Sequence, residues 1–430
     1  MRLRFFAVIS VWLLAACAPQ SAQPTEMLAT ESISTPTPEA PTPEPLLTDE
    51  PSAPGPVTLD IWWPEPLAPI DNQDAADLLS EQISAFQAAN RDVTVNFRLK
   101  KAQDVGGIMS ALRSANLVAP GAVPDLTLLR RSDLLTAAQG SLILTMDERT
   151  EAAVLDNLHP MVAALGRYND RLYGLPYNVE VQHIAYQDDL YSPDGWDFAS
   201  VLTEEKGFVF PAGRATSLSD VFLAQYRSAT ATLDSVALNV DADQLRSLFG
   251  FYEEAVGAGL IDPIVLEYIL PDDYRGGLVA GDVPAGVVTS TLYLEMLADG
   301  AALDFAPIPT ASGEPTTVVD SWMWVLTSAD AEQQAVALRF LNWMLDIDRQ
   351  GQYNQAIYML PSQRSALRQW EDADYATFVD TLLGNATLPL SESAGSLTAR
   401  VIQGALASVI SGQRSAEQAA QDVIAQLPPS

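Results

Sequence analysis

Three short apolar runs constrain the architecture more than any other feature: "VTLDIWW" (57–63), "VTVNFRL" (93–99) and "VPDLTLL" (123–129). Between the first two, Ala75, Leu79, Ile83 and Phe86 recur at helical spacing. A second apolar-rich helical stretch precedes the third run. Val93, Val95, Phe97 and Leu99 alternate with polar residues, the period of a half-buried strand. Strand, helix, strand, helix, strand predicts a parallel sheet with helices on its faces. Ligands of open α/β sheets bind in the crevice beyond the carboxyl ends of the strands. Trp62, Trp63, Glu65 and Arg130 fall at or just past those ends, which makes them candidate ligand contacts.

Farther along, "LYGLPYNVEVQHIAYQDDLY" (172–191) places Gly174 and Pro176 as turn punctuation ahead of an alternating apolar segment. Tyr177, Asn178 and Glu180 stand where that strand begins. The last third reads as helical. "AEQQAVALRFLNWMLDI" carries a stripe through Ala335, Leu338, Leu341 and Leu345, and "LTARVIQGALASVISG" stops at Gly412. Ser415 and Gln418 form a capping-box pair that opens the final helix, which Pro428 ends. The chain has no internal repeat.

The N-terminus speaks to compartment. Arg2 and Arg4 precede "FFAVISVWLLAA", too short to span a bilayer as a permanent helix, and small residues follow. The ending "LLAAC" resembles the lipobox of bacterial lipoproteins, which implies cleavage between Ala16 and Cys17 and acylation of Cys17, the sole cysteine. Residues 18–56 contain ten prolines, six acids and no basic residue. Such a segment cannot bury enough apolar surface to offset its ordering entropy, so it is expected to be an extended tether.

The whole chain carries a formal charge of −32; with two arginines in the leader and six acids in the tether, the body keeps −28. That surface is a poor partner for nucleic acid, which needs clustered Lys and Arg. The usual catalytic constellations are missing. His159 and His183 stand in unrelated contexts, and no zinc-protease, nucleophile-elbow, phosphate-loop or dinucleotide fingerprint occurs. His183 reads as a packed, hydrogen-bonded strand residue rather than a base. A pair of carboxylates working as acid and base, as in glycosidases, stays open, because no spacing singles one out.

Taken in order, these motifs resemble the extracellular solute-binding proteins of family 1, the lipoprotein or periplasmic receptors that feed ABC importers. The segments carrying the likeness include "ISAFQAAN…VTVNFR", "YNDRLYGLPYNVEVQHIAYQDDLY", "FYEEAVGAGLIDP", "FAPIPTASGE…VVDSWMWVLTSADAEQQAVALRFLNWM" and "YMLPSQRSAL". The resemblance implies an α/β two-lobe clamshell of the periplasmic-binding-protein type (type II-like). Each lobe would be a mostly parallel sheet flanked by helices, and hinge crossings would link the two. On this basis residues 1–16 are a lipoprotein signal peptide and 17–56 the lipidated cysteine with its tether. Residues 57–182 begin lobe 1, 183–302 form lobe 2, 303–347 return to lobe 1, and 348–430 supply C-terminal helices mainly of lobe 2.

The same resemblance implies that Tyr177, Asn178 and Glu180 line the cleft floor at the first crossing. It adds Asp320 and Trp322 from a second strand region that returns to the cleft, with Trp324 on the Trp322 face. A tryptophan face suits a sugar ring, and alternation predicts that one of Trp62 and Trp63 packs beneath the strand instead. Two departures stand out. Arg130 and Arg131 occupy the place where some maltose-type members have an aromatic and an acid. Thr289, Ser290 and Tyr293 stand where the family often shows a glycine and a tryptophan. An arginine there can fork two hydrogen bonds to a carboxylate, a phosphate or vicinal hydroxyls.

The expectation is a non-enzymatic, monomeric, extracytoplasmic receptor, held by Cys17 on the cell membrane or outer membrane. It would need no cofactor or metal and would deliver a small polar solute, a mono- or oligosaccharide, to ABC permease subunits. Two alternatives differ in class: a lipid-anchored glycan hydrolase, and a clamshell lipoprotein signalling to a membrane kinase.

Overall fold

Strand β1 (Val57–Pro64) pairs in parallel with β2 (Val93–Lys100) on one side and β3 (Leu126–Leu129) on the other. The intervening helices are α1 (Gln73–Ala89) and α2 (Ile108–Val118). The computed structural model describes residues 56–187, 196–214, 217–230, 240–390 and 392–427. The expected leader, Cys17 and all but the last residue of the tether lie outside them, as does Tyr191. Strand Met323–Leu326 adds antiparallel to β3, and Leu175–Pro176 closes the far edge, giving a five-stranded sheet.

Local chemistry accounts for these elements. Asn72 caps α1 by accepting from the amide of Ala75, and Ala75, Leu79 and Phe86 face inward. Burial of Leu79 and Phe86 contributes about 2 kcal/mol each. In β1, Leu59, Ile61 and Trp63 point into one core, while Trp62 points to the opposite face with Ile108, Met109 and Leu129. The helix Ala331–Met344 buries Val336, Ala337, Phe340, Leu341 and Met344. Its inward face is therefore rotated from the expected stripe, and Ala335 is exposed. Phe340 packs edge-on against both Phe86 and Trp324. The expected capping box of Ser415 and Gln418 is present.

The second lobe is built on strands Asp304–Ala306, Gln182–Tyr186 and Ala285–Thr289. Both pairings among them are antiparallel, and Val209 adds a parallel bridge to Gly286. The expected mostly parallel pairing thus describes β1 to β3 but not these three strands. Helices Asp220–Thr230, Ala242–Gly257, Glu392–Ile410 and Ala416–Gln426 cover this sheet around a core centred on Phe222, Phe249 and Tyr252.

Between the lobes the chain crosses in adjacent strands. Glu180 and Asp320 form an antiparallel bridge, exchanging amide-to-carbonyl bonds of 2.9 and 3.0 Å. Leu360–Pro361 pairs with Asn178–Val179, and Thr317–Val318 pairs with Ala386–Thr387. Gly174 leads into the first crossing, and its carbonyl oxygen would lie 1.9 Å from a Cβ on Gly166, so the two backbones approach too closely there for a side chain at 166.

These crossings correct two domain boundaries. Asp304–Ala306 pairs with Gln182–Tyr186 and so belongs to the second lobe, which moves the return point to the crossing near 318–320. Helix Ile347–Ala356 packs on lobe 1, where Tyr353 donates to the Leu67 carbonyl and the Arg349 carbonyl accepts from Gln82. Helix Ala373–Gly384 packs on the second lobe, where Tyr375 and Phe378 meet His183, Tyr293 and Phe305, and the helices after residue 391 fill its other core with Ile402, Leu406 and Val423.

His183 is fully buried, as the sequence reading expects of a packed residue. A carbonyl can only accept, so Nδ1–H donates to the Ile184 carbonyl at 3.0 Å, and Nε2 accepts from the Tyr375 hydroxyl at 3.0 Å. Burial holds its pKa down to about 4, against a smaller upward pull from the Ile184 hydrogen bond. The unfolded chain therefore binds a proton that the folded one refuses. This contribution to stability is complete above about pH 6.5 and is lost as pH falls toward 4, roughly 3 kcal/mol in all. Chemical denaturation at pH 7 and pH 4.5 is expected to show a shallower acid loss for His183→Gln than for the parent; equal losses would refute the assignment.

Candidate functional site

Arg130 follows β3 directly and occupies the N-cap position of α3 (Arg131–Gln139) in extended backbone geometry. This aims its side chain at the crossing strands. Nε donates to Asp320 Oδ2 at 2.8 Å, and Nη2 donates to Glu180 Oε2 at 2.5 Å. The guanidinium lies 5.6 Å from the centre of the Trp322 ring. Desolvation pulls the Arg130 pKa down, but the Asp320 and Glu180 carboxylates outweigh it and hold the cation above its ordinary value. One arginine thus spans both hinge crossings and neutralises two carboxylates that face each other across them.

The opposite wall comes from the second lobe. A Cβ on Gly213 would lie 2.6 Å from the Leu266 carbonyl oxygen, so only glycine lets the 211–214 segment lie against residues 266–268. Arg214 leaves that segment, donating from Nε to the Ile269 carbonyl and from Nη1 to Asp220, each at 3.2 Å. Asp220 also accepts from Gln182 at 3.3 Å. Desolvation pushes the Asp220 carboxyl up, Asp320's charge adds to this, and Arg214 opposes it.

Together these walls enclose a cavity of about 400 Å³. Lobe 1 contributes Gln103, Arg130 and Ser132; the crossings contribute Glu180, Gln182, Val318 and Asp320. The second lobe adds Arg214, Ser219, Asp220, Leu270 and Thr289, among others. Its polar and charged residues are interspersed with apolar ones such as Val221, Leu270 and Val287, and no aromatic ring lines it among the described residues. A larger crevice of about 610 Å³, lined by Asn90, Glu151, Trp343 and Arg349, lies within lobe 1 alone. The interlobe cavity is the candidate site because both lobes and both crossings build its walls.

Three of the candidate residues, Arg130, Glu180 and Asp320, meet there. The others do not line it. Trp63 is a core residue: it packs against Phe97, Tyr177, Trp324 and Tyr353 and donates its indole N–H to the Leu67 carbonyl. Trp62 is also buried on the other face of β1, with the Lys100 ammonium 4.4 Å over its ring. Strand alternation separated the two rings, and helices cover both faces. Tyr177 is fully buried beside Trp63, and its hydroxyl has no partner among the described residues.

Asn178 is buried at the hinge, where its Oδ1 accepts from the Trp322 amide at 2.9 Å. Trp322 is buried beneath Arg130. Ser290 accepts from the Val181 amide and fixes helix Ser290–Ala298 to the crossing. Tyr293 is buried against His183 and Tyr375, and its hydroxyl donates to the Leu303 carbonyl. Glu65 sits half-buried in the short 3-10 turn Glu65–Leu67 and is absent from the cavity lining.

Sequence reading missed Gln103, Gln182, Arg214, Ser219 and Asp220. The available signal was "PAGR…SD" (211–220), where a proline and glycine place an arginine just before an acid-led helix.

Chemically, this arrangement can hold a hydrogen-bonding ligand. Glu180 and Asp320 each accept from the same guanidinium through one oxygen. Among the described residues, no group of three or more His, Cys, Asp or Glu is placed to hold a metal ion. No described helix is long and apolar enough to cross a membrane.

A family model described as "Bacterial extracellular solute-binding protein" matches residues 81–381. No curated protein matches the chain. Among solved structures, the chain is similar to a family 1 extracellular solute-binding protein from Bifidobacterium longum subsp. infantis, with 16% identity and a TM-score of 0.68; the match covers 87% of this chain and 99% of that one. It is similar to the sugar-binding protein MalE from Xanthomonas citri, at 16% identity and a TM-score of 0.66, covering 85% and 95% of the two chains. The cyclic alpha-maltosyl-1,6-maltose binding protein from Arthrobacter globiformis gives 14% identity and a TM-score of 0.65, over 86% and 97%. At these identities the likeness establishes a shared two-lobe fold.

Proposed function

The chain belongs to the bacterial extracellular solute-binding proteins, and from that premise we propose that it captures a mono- or oligosaccharide between its lobes and delivers it to an ABC importer. Members of this family bind solutes and are not enzymes, which sets the hydrolase alternative aside. The lipobox at Cys17 and the proline-rich tether support an anchored, extracytoplasmic receptor held off the membrane surface.

One observation carries the ligand class: the interlobe cavity presents paired charges, with guanidinium and carboxylate side by side. Vicinal hydroxyls both donate and accept, so they match paired guanidinium and carboxylate groups better than a purely anionic or apolar ligand does. Two structurally similar proteins were solved bound to maltose and to maltotriose, which motivates the probes. A cavity of about 400 Å³ lies toward the small end of ligand pockets, favouring one or two sugar rings. Closure would place groups from both lobes on one ligand, and binding shifts the open and closed populations by its differential affinity.

Thermal denaturation with glucose, maltose and maltotriose tests this, since stabilisation grows with the logarithm of ligand concentration above Kd. Calorimetry is expected to show about tenfold to hundredfold weaker sugar binding for Asp320→Asn, the range for a hydrogen bond to a charged group. Unchanged affinity in that variant would remove Asp320 from the site. Adjacent permease genes would favour import, and an adjacent histidine kinase gene would favour sensing.

A further inference from the structure

Three carboxylates and two guanidiniums line the interlobe cavity, Glu180, Asp220 and Asp320 against Arg130 and Arg214, which leaves one negative charge in excess. None of the five is sealed off, since each side chain keeps 25 to 30% of its surface in solvent. Arg130 engages Glu180 through Oε2, while Arg214 and Gln182 both donate to Oδ2 of Asp220. Among the described residues, Glu180 Oε1 and Asp220 Oδ1 accept from no partner, whereas Asp320 Oδ1 takes the Ser321 amide. Gln182 ties the two groups together. It donates to Asp220 at 3.3 Å, and Glu180 stands two residues before it in the same extended crossing, on the same side. Desolvation raises the Asp220 carboxyl most, and Asp320 raises it further. The carboxylates therefore repel one another with both guanidiniums in place.

We propose that the solute is an amino sugar, its protonated amine held by Glu180 and Asp220 while its hydroxyls take the remaining N–H groups of Arg130 and Arg214. The inference rests on the receptor reading above and deepens it by naming the ligand's charge. An ammonium donates and cannot accept, so it matches oxygens that can only accept. It also cancels the excess charge in an enclosed space, where charges interact more strongly than in water. A neutral sugar leaves that charge in place, and a sugar acid adds a second one.

The test is calorimetry at slightly acid pH, where the amine is protonated. The probes are glucose, glucosamine and glucuronate, then cellobiose and the β-1,4-linked disaccharide of glucosamine. The amino sugar is expected to bind about tenfold or more tightly than its neutral counterpart, and glucuronate more weakly than glucose. Added salt should narrow that advantage. Glu180→Gln should cut it about tenfold while weakening the neutral sugar less; Asp220→Asn gives the same comparison should Glu180→Gln melt early. Equal affinity for neutral and amino sugars, or tightest binding of glucuronate, would overturn the amine and leave the receptor reading standing. So would binding of maltose or maltotriose with no response to either amino sugar. If no sugar of any charge binds, the saccharide reading falls, and this inference falls with it.

Discussion

Trp63→Ala is expected to destabilise the unliganded protein by about 4 kcal/mol while leaving the sugar affinity of the folded fraction unchanged. The ring is 2% exposed and packs against four aromatic rings, with centroids 5.3 to 6.2 Å away. Alanine would leave a cavity that Phe97, Tyr177, Trp324 and Tyr353 cannot all collapse into, because strands and the helix Ile347–Ala356 fix their backbones. The Leu67 carbonyl would also lose its indole donor. Urea denaturation gives the stability and calorimetry gives the affinity. A stable variant with weak sugar binding would return Trp63 to the ligand and contradict the core assignment.

Arg130→Leu has the second large effect, and it acts on both stability and binding. Leucine roughly fills the aliphatic volume but leaves Glu180 and Asp320 facing each other across the hinge without their shared cation. Removing one partner from a buried ion pair costs about 3 to 5 kcal/mol. All three side chains keep 25 to 30% of their surface in solvent, so a loss nearer about 2 kcal/mol is expected here. Sugar affinity should fall about a hundredfold, since the two carboxylates lose their fixed geometry along with the guanidinium's donors. The double variant Arg130→Leu with Glu180→Gln should recover much of the stability and little of the affinity. Recovery of both would make the cluster a structural tie rather than a binding surface.

The sheet of lobe 1 was legible because its strands alternate and its helices repeat at 3.6 residues, patterns that burial imposes directly on sequence. Arg130 was legible because it follows a strand end, where open α/β sheets bind ligands, whereas Glu180 and Asp320 were legible only through the family resemblance, which implies that they lie at the crossings. The tryptophans misled because strand ends are also where large rings seal a core. Alternation correctly put Trp62 and Trp63 on opposite faces, but helices cover both faces. Ser219 and Arg214 were not legible, since their positions depend on Gly213 approaching residues 266–268 and on Gln403 from a helix nearly two hundred residues away. No local period encodes such contacts. Antiparallel pairing in the second lobe was hidden for the same reason, because its strands come from residues 182, 285 and 304 onward.

X-ray scattering from the folded body, recorded with and without the sugar that most raises its melting temperature, tests lobe closure most directly. A smaller radius of gyration at saturation is predicted for the parent, no change for Arg130→Leu at the same concentration, and chemically intact sugar on recovery. Saturating binding with superimposable scattering curves, or recovery of an altered sugar, would contradict it.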